Sequence, residues 1–214
     1  MGSEKVIYTA LFSKYEELKE PRIITPGWQY ICFTDQPLTS KVWEVRQVDL
    51  NGQCPRRTAR YFKIMEWVDW NQSIWIDASF VIDTDLNEWW QKHFSKGFSA
   101  PAHPFRDGVY NEILACIIMK SGDVKELQAQ EIEYRAAGIP EFGGIISSGL
   151  LMRENTPEVI KLCEDWYNEM RTRSVRDQVA FARVYFGNEN LVNLYNWNYT
   201  REKDFIYLHH YHKR

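Results

Sequence analysis

The chain has 214 residues, 44% hydrophobic and 26% charged, with a net charge of −3. That is the composition of a soluble globular domain of ordinary size with a sizeable core. The lack of a basic surplus argues against nucleic acid as the main partner, and no apolar run has membrane length.

In chain order, Val6–Phe12 reads as a first buried strand and Tyr30–Asp35 as a second. Val42–Val45 is a weaker third. Pro55 opens a helix, since proline is tolerated in the first turn. Within it Tyr61, Ile64, Met65 and Val68 fall at i, i+3, i+4, i+7, an amphipathic stripe. A strand follows and ends at Asp77. Asp85-Leu86-Asn87-Glu88 resembles a capping box and starts a short helix through Trp90. Tyr110–Met119 and Val124–Ala137 read as helices, the second stopped by Gly138 and Pro140. Gly144–Met152 reads as a glycine-flanked strand, and Asn155-Thr156-Pro157-Glu158 as a helix start. Asp177–Tyr185 is a further helix, stopped by Gly187. Strands alternate with helices, so the class is α/β with a mostly parallel sheet. No repeat or linker divides residues 1–214, so one domain is expected.

Four cysteines, Cys32, Cys54, Cys116 and Cys163, are far apart and lack metal-ligand spacing. They read as free thiols of a reducing compartment. With no signal-peptide pattern, the expected location is the cytoplasm, for the chain as it stands or as a domain of a longer one. Nine Trp, twelve Tyr and eleven Phe suit either core packing or stacking on sugars and bases.

The segment with most chemical content is Ser73-Ile74-Trp75-Ile76-Asp77-Ala78-Ser79. An apolar strand ends in a carboxylate and a hydroxyl at i and i+2, on one side of extended backbone. At the carboxyl end of a central strand these groups point into the crevice where α/β sheets bind ligands. Oxygen ligands of this kind suit Mg²⁺ or Mn²⁺ on a nucleotide diphosphate. The alternative is a strand ending in an ordinary turn. Arg56, Arg60 and Lys63 share a helix face at i, i+4, i+7, with Arg57 about 100° round from Arg56. That face either binds diphosphate oxygens or is simply solvated. Asp177 and Gln178 offer partners for sugar hydroxyls, unless Asp177 is only a helix cap. His103-Pro104-Phe105-Arg106-Asp107 is a polar loop after a possible strand. His209, His210 and His212 either complete a metal site or form an exposed tail. Neither GxGxxG nor a P-loop pattern is present.

Taken together, YTALF, ICFTD, RxxRxxK, IWIDAS, HPFR, GGIISSGLLMR, SVRDQ and the terminal histidines resemble a GT-A-fold glycosyltransferase. The resemblance is to the small glycosyltransferase-like group long catalogued as a domain of unknown function, and also to the N-terminal domain of a chlorella-virus multidomain glycosyltransferase. It implies a GT-A-like (Rossmann-like), mainly parallel central sheet with helices on both faces. It also implies metal-dependent sugar transfer from a UDP-sugar to a glycan or other hydroxyl acceptor. Asp77 and Ser79 match the metal-binding Asp-x-Asp motif, with Ser in place of the second Asp. His209 matches a C-terminal metal ligand, with His212 in reserve. Thr9, Ala10, Leu11 and Asp35 fall where the family holds the nucleoside. Arg60 and Lys63 match basic residues facing the diphosphate, and Asp177 and Gln178 the pair facing the donor sugar and the reacting centre. The implied cofactor is Mn²⁺ or Mg²⁺. The implied partners are a nucleotide sugar and a carbohydrate acceptor, with the domain monomeric. A competing reading is a catalytically inactive carbohydrate- or nucleotide-binding module. A metal-dependent phosphohydrolase is a third.

Overall fold

The computed structural model describes residues 4–14 and 16–208. Seven strands form one sheet in the order β3-β2-β1-β4-β7-β6-β8. These are β1 (Lys5–Leu11), β2 (Trp28–Thr34), β3 (Glu44–Gln47), β4 (Gln72–Ile76), β6 (Phe98–Pro101), β7 (Leu150–Glu154) and β8 (Val192–Tyr195). Pairing is parallel throughout except at β7, which runs antiparallel to both β4 and β6. A separate ribbon pairs β5 (Phe80–Ile82) with β9 (Phe205–Tyr207), antiparallel.

The expected α/β class with a mainly parallel sheet is therefore correct. Alternation along the strands explains why the sheet is buried on both sides. Val6, Tyr8, Ile31, Phe33, Trp75 and Leu151 enter one apolar cluster. Their neighbours Ile7, Tyr30, Cys32, Ile74, Leu150 and Met152 enter a second. The first cluster is closed by α1 (Pro55–Met65), α5 (Pro157–Thr172) and α6 (Asp177–Tyr185), through Phe62, Ile64, Leu162, Trp166 and Phe181. The second is closed by α2 (Leu86–His93) and the β5/β9 ribbon, through Trp89, Phe80 and Phe205. A third cluster joins α3 (Val109–Ile118) and α4 (Val124–Ala136) to Val179 and Ala182 of α6.

Local signals account for the helix ends. Asp85 accepts from the Asn87 and Glu88 amides, and Thr156 caps α5 ahead of Pro157. All four cysteines are free, as expected, with Cys54 alone exposed.

Three readings of the sequence differ from the structure. The third strand begins at Glu44, after Trp43 has turned in to pack edge-on against Tyr30. The strand expected over Gly144–Met152 starts only at Leu150. Gly144 sits at φ +69, and a Cβ there would stand 2.7 Å from the Tyr185 ring, so the chain loops before the strand begins. The stripe of α1 is also different. Tyr61 is exposed, Val68 lies beyond the helix end, and the buried residues are Thr58, Phe62, Lys63 and Ile64. A lysine takes an apolar position because carboxylates meet it inside, as described next.

Candidate active site

The chain leaves β1 for β2 on one side, and reaches β4 on the other only after β3 and α1. The carboxyl ends of β1 and β4 therefore diverge at a switch point, where open α/β sheets hold ligands. A cleft of about 910 Å³ opens there. Ala10, Leu11, Arg60, Asp77, Ser79 and Gln178, all expected site residues, line it. Asp77 N–H donates to Gly149 O at 2.8 Å, which ties the end of β4 to the start of β7.

Asp77 exposes 38% of its side chain. Its Oδ1 accepts from Trp75 Nε1 at 2.8 Å and lies 3.0 Å from Lys63 Nζ. Oδ2 lies beside Gly149, where an added Cβ would stand 3.5 Å from it. Lys63 reaches from α1 between two carboxylates: its ammonium is also 3.0 Å from Asp177 Oδ2. Ser148 Oγ donates to that same oxygen at 2.9 Å, and Arg60 Nε is 3.3 Å from Asp177 Oδ1. Burial alone would raise the Asp177 carboxyl, but Arg60, Lys63 and Arg176 together hold it well below the usual carboxylate range.

Asp177 does not line the cleft, because its oxygens are taken by this network. The cap alternative also falls away. The residue at the N-cap of α6 is Arg176, and Asp177 opens the first turn with its carboxylate turned inward. Lys63 is likewise behind the cleft wall, so the expected solvated or phosphate-facing row of cations is divided. Arg56 and Arg60 line the cleft, Arg56 exposed and donating to Ser121 O at 3.1 Å, while Lys63 is buried. Gln178 keeps its place in the lining through Nε2 donation to Ile146 O at 2.9 Å and acceptance from Arg176 at 3.2 Å.

Thr9 and Asp35 do not line the cleft. Thr9 is buried and Asp35 sits at the end of β2, where its carboxylate accepts the backbone N–H of the cleft residue Ser13. His209, His210 and His212 lie outside the described residues. Leu208, the residue before His209, donates its N–H to Ser79 O at 2.9 Å. The β5/β9 ribbon, with Phe80 opposite Tyr207, makes this contact possible.

Sequence reasoning missed a second charged group. Glu112 is buried between Arg176 Nη2 at 3.2 Å and Arg106 Nε at 3.6 Å, and all three line the cleft. Glu112 carries no local signal, since it lies inside an apolar helix. Glu16 was also missed. It lines the cleft, and burial together with the neighbouring Asp77 charge pushes its carboxyl up to about 7.

Residues 45–211 match the family model described as TOD1/MUCI70, glycosyltransferase-like domain. The chain belongs to this family. Among solved structures, this glycosyltransferase-like domain is similar to the apo structure of the WbbM bifunctional glycosyltransferase. The TM-score is 0.55 at 8% identity, over 91% of this chain and 39% of that one. At that identity the likeness is one of fold. The chain spans well under half of the WbbM chain. Comparison with curated proteins gives no match.

As a metal site the described residues are sparse: among them no three His, Cys, Asp or Glu side chains are grouped to hold an ion. What the cleft offers is the part-exposed Asp77 carboxylate, the Ser79 hydroxyl two residues on and the Glu16 carboxyl, close enough to feel the Asp77 charge. These are hard oxygen donors that suit Mg²⁺ or Mn²⁺ when a diphosphate supplies further oxygens. Among the described residues no helix is long and apolar enough to cross a membrane.

Proposed function

We propose that this domain transfers a sugar from a UDP-sugar to a hydroxyl of a glycan or other acceptor, with Mn²⁺ or Mg²⁺ as cofactor. The observation that carries this reading is the setting of Asp77: a carboxylate 38% exposed at the end of β4, in the same cleft as Arg60. Membership of a glycosyltransferase-like family supports it.

Asp77 and Ser79 would hold the cation, joined by His209. The bound cation supplies Lewis-acid stabilisation of the departing diphosphate. Ala10 and Leu11 border the nucleoside end, with Asp35 acting through the Ser13 backbone and Thr9 buried behind them. Arg60 donates to diphosphate oxygens, where negative charge grows as the sugar leaves. Lys63 adds positive charge from behind Asp77 without touching the substrate. Gln178 presents its amide to the donor sugar, fixed by Ile146 and Arg176. Asp177 is a positioning residue: it sets Lys63, which also meets Asp77, and Arg60, which lines the cleft.

The test is a panel of nucleotide sugars, measured by calorimetry and by turnover, with Mn²⁺ and with chelator. The expected result is preference for a uridine nucleotide, lost in chelator and in Asp77→Ala. Equal affinity with metal and chelator would sink the metal role. Nucleotide-sugar binding without turnover for any donor would favour the binding module.

A further inference from the structure

A row of aromatic rings leads from Asp77 to the rim of the cleft. Gly149 lets the first ring approach: a Cβ there would stand 2.8 Å from the Phe80 ring. Phe80 is 5.2 Å from Tyr207 and 6.2 Å from Tyr199, centroid to centroid. Tyr199 is 6.1 Å from Phe105, edge-on at 90°. All four rings line the cleft, and Phe105 is 54% exposed. Core packing accounts for Phe80, which is buried, but not for Phe105.

Polar groups accompany the rings. His103 lines the same cleft, with its ring 6.3 Å from Phe105. Its Nδ1 accepts the Phe105 N–H at 3.2 Å, and burial holds the imidazole below its ordinary pKa. The neutral ring then carries its proton on Nε2 and presents a donor. Arg106, next to Phe105, is steadied by Glu112. A pyranose has this same division, an apolar C–H face and a rim of hydroxyls. Aromatic faces match the first, and a few fixed polar groups match the second.

We infer that Phe105 and Tyr199 form an acceptor platform that takes a hexopyranose unit of an oligosaccharide or polysaccharide. His103 and Arg106 hold its hydroxyls. This rests on the glycosyl-transfer reading and narrows it: the acceptor is itself a glycan, and it enters along the ring row towards Asp77.

The experiment measures saccharide binding without any donor. The full chain is titrated with gluco-, galacto- and manno-configured tetrasaccharides, followed by saturation-transfer NMR, with UDP and Mn²⁺ titrated in parallel by calorimetry. One saccharide class is expected to bind. Phe105→Ala and Tyr199→Ala should each weaken that binding by about tenfold, the scale of a lost ring contact. Phe105→Trp should retain it, and UDP affinity should stay within about twofold in all three. Phe105 is exposed, so its replacement leaves the fold intact. Unchanged saccharide affinity in Phe105→Ala, or no binding by any saccharide, would overturn the platform. Ring-dependent saccharide binding in a chain that ignores UDP would keep the platform and sink the transferase reading.

Discussion

The Lys63 ammonium stands 3.0 Å from the Asp177 carboxylate, and the two side chains expose 1% and 2% of their surface. Buried charges of this kind are stable only in company. Lys63 has Asp77 as a second partner, and Asp177 has Arg60 and Ser148. The network joins α1, the end of β4, the turn before β7 and the start of α6, so geometry at the cleft and stability of the fold share the same atoms.

Lys63→Ala should therefore destabilise the protein, by roughly 3–5 kcal/mol, the scale for breaking a buried ion pair. Lys63→Met should keep most of the packing but still leave Asp177 short of a cation. Urea unfolding of both variants checks this. Wild-type-like midpoints would mean that Arg60 and Ser148 suffice.

Arg60 separates charge from structure better, because it faces the cleft. Arg60→Ala should weaken UDP binding by roughly 1–3 kcal/mol, the scale of a charged hydrogen bond. Affinity for uridine, which lacks the diphosphate, should stay near wild type. Calorimetry with the two ligands distinguishes this outcome from a general loss of the site.

Two glycines should respond differently to alanine. At Gly149 the added Cβ would meet the edge of the Phe80 ring at 2.8 Å, next to Asp77. Ring displacement should cost about 1–3 kcal/mol in stability and lower nucleotide-sugar turnover. At Gly108 the Cβ would stand 1.8 Å from the backbone oxygen of Glu141, which has no rotamer to change. Gly108→Ala should be the more destabilising of the two in thermal melts.

His93 gives a pH signature unrelated to the cleft. Its ring packs 4.0 Å from Trp89 and 4.6 Å from Tyr195, centroid to centroid. Nε2 is buried with no hydrogen-bond partner among the described residues. Burial pulls its pKa down to about 4. An unfolded histidine titrates near ~6.5, so between those values the unfolded chain binds a proton that the folded chain refuses. The His93 contribution should therefore fall as pH drops from about 6.5 towards 4 and level off below, against an opposite contribution from Glu16, whose raised carboxyl takes up its proton in the folded chain first. On passing from neutral to mildly acidic pH, the urea midpoint of His93→Phe should rise relative to that of wild type.

The sequence by itself determined the α/β class, the main strands and the helix starts. Those features are local: Asp85 and Thr156 are adjacent to the amides they cap, and the strands are apolar runs because both faces of the sheet are covered. It also singled out Asp77, which needs only a strand end to be recognised. Tertiary structure alone decided that Lys63 is inside and Arg60 at the cleft, although both lie on the same short helix. Asp177 is 114 positions from Lys63, and no pattern in either segment encodes their meeting. Glu112 was invisible for the same reason, since Arg176 is 64 positions away. The strand–glycine reading of Gly144–Met152 failed because the obstacle, the Tyr185 ring, belongs to another helix. A side chain's charge is written in the sequence, but whether water or an opposite charge meets it depends on which distant elements pack together.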